Sequence, residues 1–510
     1  MKPILTPAEA SALDRDSQAR GIAAATLMEN AGREVAAAAV AVAGGLYGKR
    51  AVVVCGKGNN GGDGLVAARY LDGWGVRVAV VMLEGADDLR EPAAENFRRL
   101  ALQPGVRVRA FSQGALEREV ARADVAVDAI FGTGFRGMPE DEFARAIDAL
   151  NEGGAPIVAV DIPSGVNGES GAVEGEAVWA DVTVTFGAMK PGVVLVPGAE
   201  RAGLVEVVDI GFPEDLIRSD LSLVEQEDVA ALLPIRPFDT HKRATGVVVV
   251  IGGSRDMTGA VCLAAEAAYR AGAGLVTVAA PAGVMPVVQS VVREATFVSL
   301  PETRDGTVAE AAADLLAERI AGADAVAIGP GMTTQEETAG LIREIVRSSP
   351  APLVLDADGL NAFAGRAGEL AERKAFAVLT PHAGEFGRLA GIEAREVDAD
   401  RVGHVRKLAA ETHATVLLKG SRTLISSPDG RVRVNPTGGP VLATAGSGDV
   451  LTGMIAGLLA RGLSPSDAAT AGAYLHGVAG RLAGLDAGEG TTAGDVLANV
   501  PRAVAEVLGR

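Results

Sequence analysis

Ala51-Val52-Val53-Val54-Cys55-Gly56-Lys57-Gly58-Asn59-Asn60-Gly61-Gly62-Asp63-Gly64 is the stretch that decides the fold of the first half of this chain. An apolar run of strand length passes directly into a loop with five glycines in nine residues, and an amphipathic helical pattern follows at Leu65–Leu71. Glycines permit positive φ angles and close backbone approach to a ligand. The helix that follows offers free N–H groups and a positive dipole end to a phosphate. In an open α/β sheet, the carboxyl end of the first strand is the usual ligand position. A flexible turn would account for the glycines alone, but Asn-Asn-Gly-Gly-Asp-Gly carries more polar specificity than a turn requires.

Outward from this stretch the same alternation continues. Val76–Met82, Val106–Phe111, Val125–Ile130, Ile157–Val160, Asp181–Phe186 and Leu204–Val208 have strand length, and helical patterns such as Pro92–Leu100 and Glu140–Leu150 separate them. Ahead of them, Thr6, Pro7 and Glu9 have the spacing of an N-cap, a first-turn proline and a capping-box acid. The pattern loosens from Gly211 to about residue 240. It restarts with Val247–Ile251, Leu275–Ala280, Ala325–Ile328, Leu353–Leu355, Ala377–Leu379 and Val416–Leu418, and ends in two helices near Asp449–Arg461 and Pro465–Ala483. Strand and helix in alternation predict two α/β domains with parallel sheets covered on both faces, divided as 1–215 and 216–510.

Composition narrows the function. Of 510 residues, 48% are hydrophobic and 22% charged, enough apolar surface for more than one core. Lys+Arg 47 against Asp+Glu 65 leaves a net charge of −18, which argues against nucleic acid or an anionic membrane as partner. An anionic substrate must then be held by local devices: backbone amides, helix N-termini or a metal ion. Cys55 and Cys262 sit in or beside apolar segments and read as reduced, buried thiols. The N-terminus carries no signal-peptide pattern, and no apolar run approaches the roughly 18 residues of a membrane span, so a cytoplasmic location is expected.

If the first-half strands are parallel, Asn60, Asp128, Asp161, Ser164 and Lys190 gather on one rim of the sheet. Any single carboxylate there is equally well a helix N-cap; five polar groups together are not explained that way. Leu5-Thr6-Pro7-Ala8-Glu9, Leu27-Met28-Glu29-Asn30-Ala31-Gly32, the glycine loop, Val127–Gly134 and Asp161–Gly165 together resemble the N-terminal domain of NAD(P)H-hydrate epimerases, over about residues 1–215. The resemblance implies a Rossmann-like three-layer αβα sandwich. It implies a potassium site of Asn60, Asp128 and Ser164, and substrate contacts at Asn59, Asn60, Gly61, Gly62, Asp63, Gly132, Thr133, Gly134, Phe135, Arg136, Gly137, Met138 and Asp161. Amide, carboxylate and hydroxyl oxygens are in any case donors for a hard cation. For proton transfer, Asp161 is the first candidate and Lys190 the second.

In the second half, Asn435–Pro440 and Ala443-Thr444-Ala445-Gly446-Ser447-Gly448-Asp449 precede a long apolar helix. Successive amides at Gly446–Gly448 make a concave anion hole, and Asp449 projects a carboxylate into it. A base beside a stabilised phosphate is what phosphoryl transfer to a hydroxyl requires. This placement is similar to that of ribokinase-type kinases. The loops around His241, Gly329–Met332, Leu355–Asn361, Thr380–Glu385 and Leu418–Thr423 narrow the similarity to the ADP-dependent NAD(P)H-hydrate dehydratase domain, over about residues 225–505. By position, Ala260, Gly331, His382 and Asp449 would touch the hydrated nucleotide; Lys419, Gly420, Ser421, Arg422, Thr423 and Gly448 would touch the phosphate donor. The chain departs from the family pattern at Gly439, Ala445 and Ala383, where asparagine, glycine and proline are the rule.

Taken together, the two resemblances imply a bifunctional repair enzyme for NAD(P)H hydrated at nicotinamide carbon six. One domain would exchange R and S epimers with K+; the other would dehydrate the S epimer with ADP and Mg2+, with Asp449 as base. A homo-oligomer, tetramer or larger, is expected. Two rivals stay open at this level: a small-molecule kinase with an appended binding domain, and an N-terminal domain that binds without catalysing.

Overall fold

The structure, a computed structural model, describes residues 1–236 and 238–510; Pro237, within the stretch where the pattern loosens, lies outside the described residues. The chain forms two compact units, Lys2–Ser219 and Asp220–Arg510.

The first unit begins with α1 (Pro7–Ala19) and α2 (Ala24–Val42). Thr6 caps α1 by accepting from the Glu9 N–H, and the Glu9 carboxylate accepts in return from the Thr6 N–H, the reciprocal box read from the sequence. The strands are β1 (Arg50–Cys55), β2 (Arg77–Met82), β3 (Val106–Ala110), β4 (Val125–Ala129), β5 (Ile157–Val160), β6 (Val182–Phe186) and β7 (Leu204–Val208). They run parallel in the order β3-β2-β1-β4-β5-β6-β7. Successive β1 side chains point to opposite faces. Val53 and Cys55 pack with α2 and with Leu65 and Val66; Val52 and Val54 pack with Leu116, Ile147 and Leu150. This is a Rossmann-like αβα sandwich. Its order reverses between β1 and β4, the crevice where such sheets bind ligands.

One expectation needs correcting here. The helix after β1, α3 (Asn59–Gly73), starts inside the glycine run, and none of Gly56, Gly58, Gly61, Gly62 and Gly64 adopts a positive φ. What they supply is room. A Cβ on Gly61 would sit 1.9 Å from the Gly56 carbonyl oxygen, so only glycine lets the first turn fold back onto the end of β1.

The second unit carries β8 (Leu221–Leu223), β9 (Val247–Ile251), β10 (Leu275–Pro281), β11 (Thr296–Leu300), β12 (Ala325–Ile328), β13 (Leu353–Leu355), β14 (Ala377–Leu379), β15 (Thr415–Leu418), β16 (Leu424–Ser426) and β17 (Val432–Val434). Their order is β8-β17-β16-β15-β14-β13-β12-β9-β10-β11. From β11 to β15 neighbours are parallel, while β16 is antiparallel to both β15 and β17. The helices α4 (Thr258–Arg270), α5 (Ala383–Ala390), α6 (Ser447–Ala460), α7 (Pro465–Ala487) and α8 (Ala493–Val507) complete the part that concerns the site. Residues of α4, α6, α7 and α8 share one buried cluster with Val248 and Val250 of β9. Here the order reverses between β9 and β12.

The sequence pattern did not single out β8, β11, β16, β17 or α8. The stretch after Gly211 is no plain linker: β8 and the helix Gln226–Leu232 lie in it, with Leu221 and Val229 buried. Both cysteines are free and buried, as expected.

Gly61→Ala should destabilise the first unit by about 1–3 kcal/mol, the usual cost of overpacking. Gly58→Ala, which meets nothing within 4 Å at φ −81, should stay within about 0.5 kcal/mol of the parent. Denaturant titration of both variants checks the pair.

Candidate active sites

In the first unit, a cavity of about 990 Å³ opens over the carboxyl ends of the strands. Asp14, Asn59, Asn60, Asp63, Asp161, Lys190 and the segment from Ile130 through Gly132, Thr133, Gly134 and Phe135 to Arg136 line it. Gly61, Gly62, Gly137 and Met138 are outside its lining. Gly61 and Gly62 are instead packing positions: a Cβ on Gly62 would strike Met28 of α2.

Lys190 organises the floor. Its Nζ donates to Asp161 Oδ1 at 2.6 Å, to Phe186 O at 2.8 Å and to Thr185 Oγ1 at 3.0 Å, and its side chain is 3% exposed. Asp161 takes φ +64, a conformation rare outside glycine and asparagine, and its Oδ1 also accepts from Thr185 Oγ1 at 2.9 Å. Strain of this kind persists where the surroundings over-determine it, and it concentrates at functional sites. Asp63 is pushed well above the usual carboxylate range, first by burial, then by the charges of Asp161 and Asp14, with Lys190 pulling the other way. Asp14 is raised by burial and by Asp161. Sequence reasoning passed over Asp14; its signal was an acid beside the buried Leu13 and Ser17 of α1.

Beneath the rim, Asp128 is fully buried. Its Oδ1 accepts from Ser164 Oγ at 2.6 Å and from the Ile130 N–H at 3.2 Å, and its Oδ2 accepts from the Ser164 N–H at 2.8 Å. Burial pushes its pKa up to about 6 against these hydrogen bonds. The Phe131 N–H donates to Ser164 Oγ at 2.9 Å, and Asn60 Nδ2 reaches Phe131 O at 2.8 Å. Asn60, Asp128 and Ser164 are thus brought together with one backbone carbonyl.

The second unit repeats the device. Lys419 Nζ lies 2.7 Å from Asp356 Oδ1 and 3.7 Å from Glu385 Oε2, and Thr452 Oγ1 donates to Asp356 Oδ2 at 2.7 Å. Burial alone would lower the Lys419 pKa, but Asp356, Glu385 and Asp449 outweigh it and leave the ammonium above its usual value. Asp449, in the first turn of α6, is pushed up to about 7 by burial, with Asp356 next and Lys419 opposing. Gly446 enters the helix at φ +86, and a Cβ on Gly448 would lie 3.4 Å from Lys419 Nζ, so the glycine turn runs against the lysine. Ser447 Oγ pairs with the buried His476 Nε2 at 3.1 Å; burial lowers the His476 pKa to about 4, so the ring behind the turn is neutral at pH 7.

The loop Lys419–Thr423 is held by its backbone. The Lys419 N–H donates to Pro381 O at 2.8 Å, Arg401 donates to Ser421 O at 3.2 Å, and Thr423 Oγ1 donates to Gly420 O at 3.0 Å. Arg422 donates into the Pro436 carbonyl at 3.0 Å. Gly331 packs on Met257 and Ala260. His382 caps α5: its Nδ1 accepts from the Gly384 N–H at 3.0 Å, leaving a ring that is 55% exposed. The sequence reading assigned no role to Asp356, Thr452, Arg401 or His476. Thr452 was within reach of it, three residues after Asp449 on the same helix face.

Two α/β sheets, one parallel and one largely parallel, each with a buried lysine–carboxylate pair following its strands, define a two-site α/β enzyme. Comparison with known proteins agrees. The family described as NAD(P)H-hydrate dehydratase matches residues 248–502, and that described as YjeF-related protein N-terminus matches residues 24–192. The bifunctional NAD(P)H-hydrate repair enzyme of Moorella thermoacetica is 43% identical over 98% of this chain and 96% of its own. That of Thermofilum pendens is 41% identical over 97% and 95%. A solved structure of an ADP/ATP-dependent NAD(P)H-hydrate dehydratase from Bacillus subtilis, co-crystallised with ATP/Mg2+, is 32% identical over 56% of this chain and 98% of that one, with a TM-score of 0.49. The chain belongs to the family of bifunctional NAD(P)H-hydrate repair enzymes.

Lys419→Met should cost about 3–5 kcal/mol, because it leaves Asp356, 3% exposed, as an uncompensated buried charge. Adding Asp356→Asn should recover most of the loss. Denaturant midpoints of the single and double variants measure this coupling.

Proposed function

We propose that the first unit interconverts the R and S epimers of NAD(P)H hydrated at carbon six. The second unit converts the S epimer to NAD(P)H at the expense of ADP, giving AMP and phosphate. The observation that carries the second half is Asp449, a carboxyl pushed up to about 7 at a glycine turn beside a charged lysine. A general base works best with a pKa near the working pH. Asp449 takes the proton of the carbon-six hydroxyl as that oxygen attacks the terminal phosphorus of ADP. The Gly446–Gly448 amides and Lys419 hold the transferring phosphoryl group. The phosphate so formed leaves far more readily than hydroxide, and its departure restores the dihydropyridine.

Lys419, Gly420, Ser421, Arg422, Thr423 and Gly448 hold the nucleotide in this reading, the loop chiefly through its backbone. Ala260, Gly331 and His382 face the hydrated nicotinamide nucleotide. Mg2+ bound with the donor would neutralise its phosphates.

In the first unit, Asp161 held by Lys190 is the proton-transfer group. Asn60, Asp128, Ser164 and the Phe131 carbonyl form a site for K+. The fit is chemical: Asp128 is a buried carboxylate whose contacts are all hydrogen-bond donors, and turning the Asn60 amide over would face two oxygens that a cation joins. A bound K+ supplies the positive charge that this carboxylate lacks. No helix among the described residues is long and apolar enough to cross a membrane; the reading adds a cytoplasmic homo-oligomer, tetramer or larger.

Mixed epimers supplied with ADP should regain the near-ultraviolet absorbance of the dihydropyridine, and without a nucleotide should not. A phosphorylated product that accumulates without that absorbance would mean a kinase instead. Asp449→Asn keeps shape and helix start but cannot accept a proton, so dehydration should fall about 10²–10⁴-fold while epimer exchange continues. In the parent, dehydration should fall tenfold per unit below about pH 7, where Asp449 is protonated. Asp128→Ala should weaken epimerisation and its potassium dependence and spare dehydration; full epimerase activity at every salt would remove the cation site.

A further inference from the structure

Four carboxyl groups, Asp14, Asp63, Glu84 and Asp161, and three cations, Lys57, Arg136 and Lys190, line the cavity of the first unit; Lys57 pairs with Glu84, and Arg136 with Glu169. All three Lys190 protons are engaged: one bonds Asp161, and the others bond Thr185 and Phe186 O. Lys190 therefore gives Asp161 a hydrogen bond and has none left for Asp63. Asp63 is 8% exposed, lines the cavity, and its carboxyl makes no hydrogen bond or ion pair with any described residue. It stands on α3 after β1, while Asp161 ends β5, with β4 between those strands. The two groups thus reach the cavity from two separate elements. A buried, unpartnered carboxyl facing a ligand space is costly as an anion and inexpensive as a neutral acid.

We infer that Asp63 is the proton donor that complements Asp161 in the epimerase reaction, the pair working as acid and base on the two faces of carbon six; this rests on the epimerase reading above. Inverting that carbon requires one of its bonds to break and re-form on the opposite face. The carbon-six hydroxyl adjoins the ring nitrogen, so the C–O bond is the one that acid assistance opens. The Asp63 proton passes to the departing hydroxyl, the C–O electron pair leaves with it as water, and the nitrogen lone pair forms the N=C bond. A water molecule then adds to the other face, its proton passes to the Asp161 carboxylate, and the electron pair returns to nitrogen. One water leaves and one adds; one proton is given and one taken. The reverse direction uses the same two groups with roles exchanged, as an enzyme acting on both epimers requires. Burial, Asp161 and Asp14 all raise Asp63 and only Lys190 opposes, which suits Asp63 to the donor's part.

The test uses the full chain and chromatographic separation of the epimers in ¹⁸O-labelled water. The parent should exchange epimers and take up one solvent oxygen per inversion; inversion without label would overturn the C–O step, and a parent that exchanges no epimers would overturn the epimerase reading itself. Asp63→Asn should slow inversion by about 10²–10⁴-fold, and retention within a few-fold would overturn the assignment. ADP-driven dehydration and thermal melting report whether that variant folds. A structural carboxyl predicts a lower melting temperature for Asp63→Asn, whereas a raised, unpartnered acid predicts an equal or higher one at pH 8. Independently of any variant, the parent rate should fall as alkali removes the Asp63 proton, with Asp14, Asp161 and Lys190 the charged groups that set where. A rate that stays level into alkali would count against Asp63 as the donor.

Discussion

Each sheet ends on a buried ion pair, Lys190 with Asp161 at 2.6 Å and Lys419 with Asp356 at 2.7 Å, and the chemistry of both units is organised around the lysine. A buried ammonium is tolerable only when its three protons and its charge are met by nearby groups. In the first unit a carboxylate, a hydroxyl and a carbonyl do this. In the second, Asp356 does so at close range and Glu385 at 3.7 Å. In both places more carboxyls converge than one lysine can neutralise. The surplus groups, Asp63 in one unit and Asp449 in the other, are both pushed above the ordinary carboxylate range. Burial raises both first, and this imbalance of charge adds to it.

Backbone shape brings the carboxyls close enough for that imbalance. Asp161 sits at φ +64, and Ala357, between Asp356 and Asp358, at φ +49. Neither conformation suits a non-glycine residue, and each belongs to a strand-end turn that delivers an acid to its lysine. The glycines do complementary work. Gly61 lets α3 start directly against β1, and Gly446 lets α6 start beside Lys419, so helix N-termini approach the ligand space with no side chain intervening.

Much of this was legible in the sequence because parallel strands buried on both faces read as short apolar runs. Val247–Ile251 and Ala325–Ile328 were read with the bounds they have. The antiparallel β16 and β17 are three residues each, too short for an alternating pattern to register, and β8 hides in a polar stretch. Asn60, Asp161, Ser164 and Lys190 could be placed at one end of the sheet because each follows a strand, and Asp128 because it is the penultimate residue of β4. Asp14, Asp356, Thr452 and His476 act through contacts distant in sequence: Thr452 bonds a carboxylate 96 positions away. The glycine run was read for positive φ angles and for close backbone approach; the structure shows no positive φ there and a close approach of helix to strand.

Burial of these carboxyls sets a direction for stability against pH. Asp63, Asp128 and Asp449 all hold their protons more tightly folded than unfolded. Asp128 lies near 6 and Asp449 near 7 against an ordinary value of 3.8. Between those values the native state binds protons that the unfolded chain has released, so their contribution to stability falls as pH rises through the window and levels off above it. Acid denaturation of most proteins has the opposite slope, because their carboxylates are stabilised in the folded state. A chain under selection for stability alone would replace such groups with amides or apolar residues. That all three stand near the carboxyl ends of these sheets is what the proposed chemistry draws on.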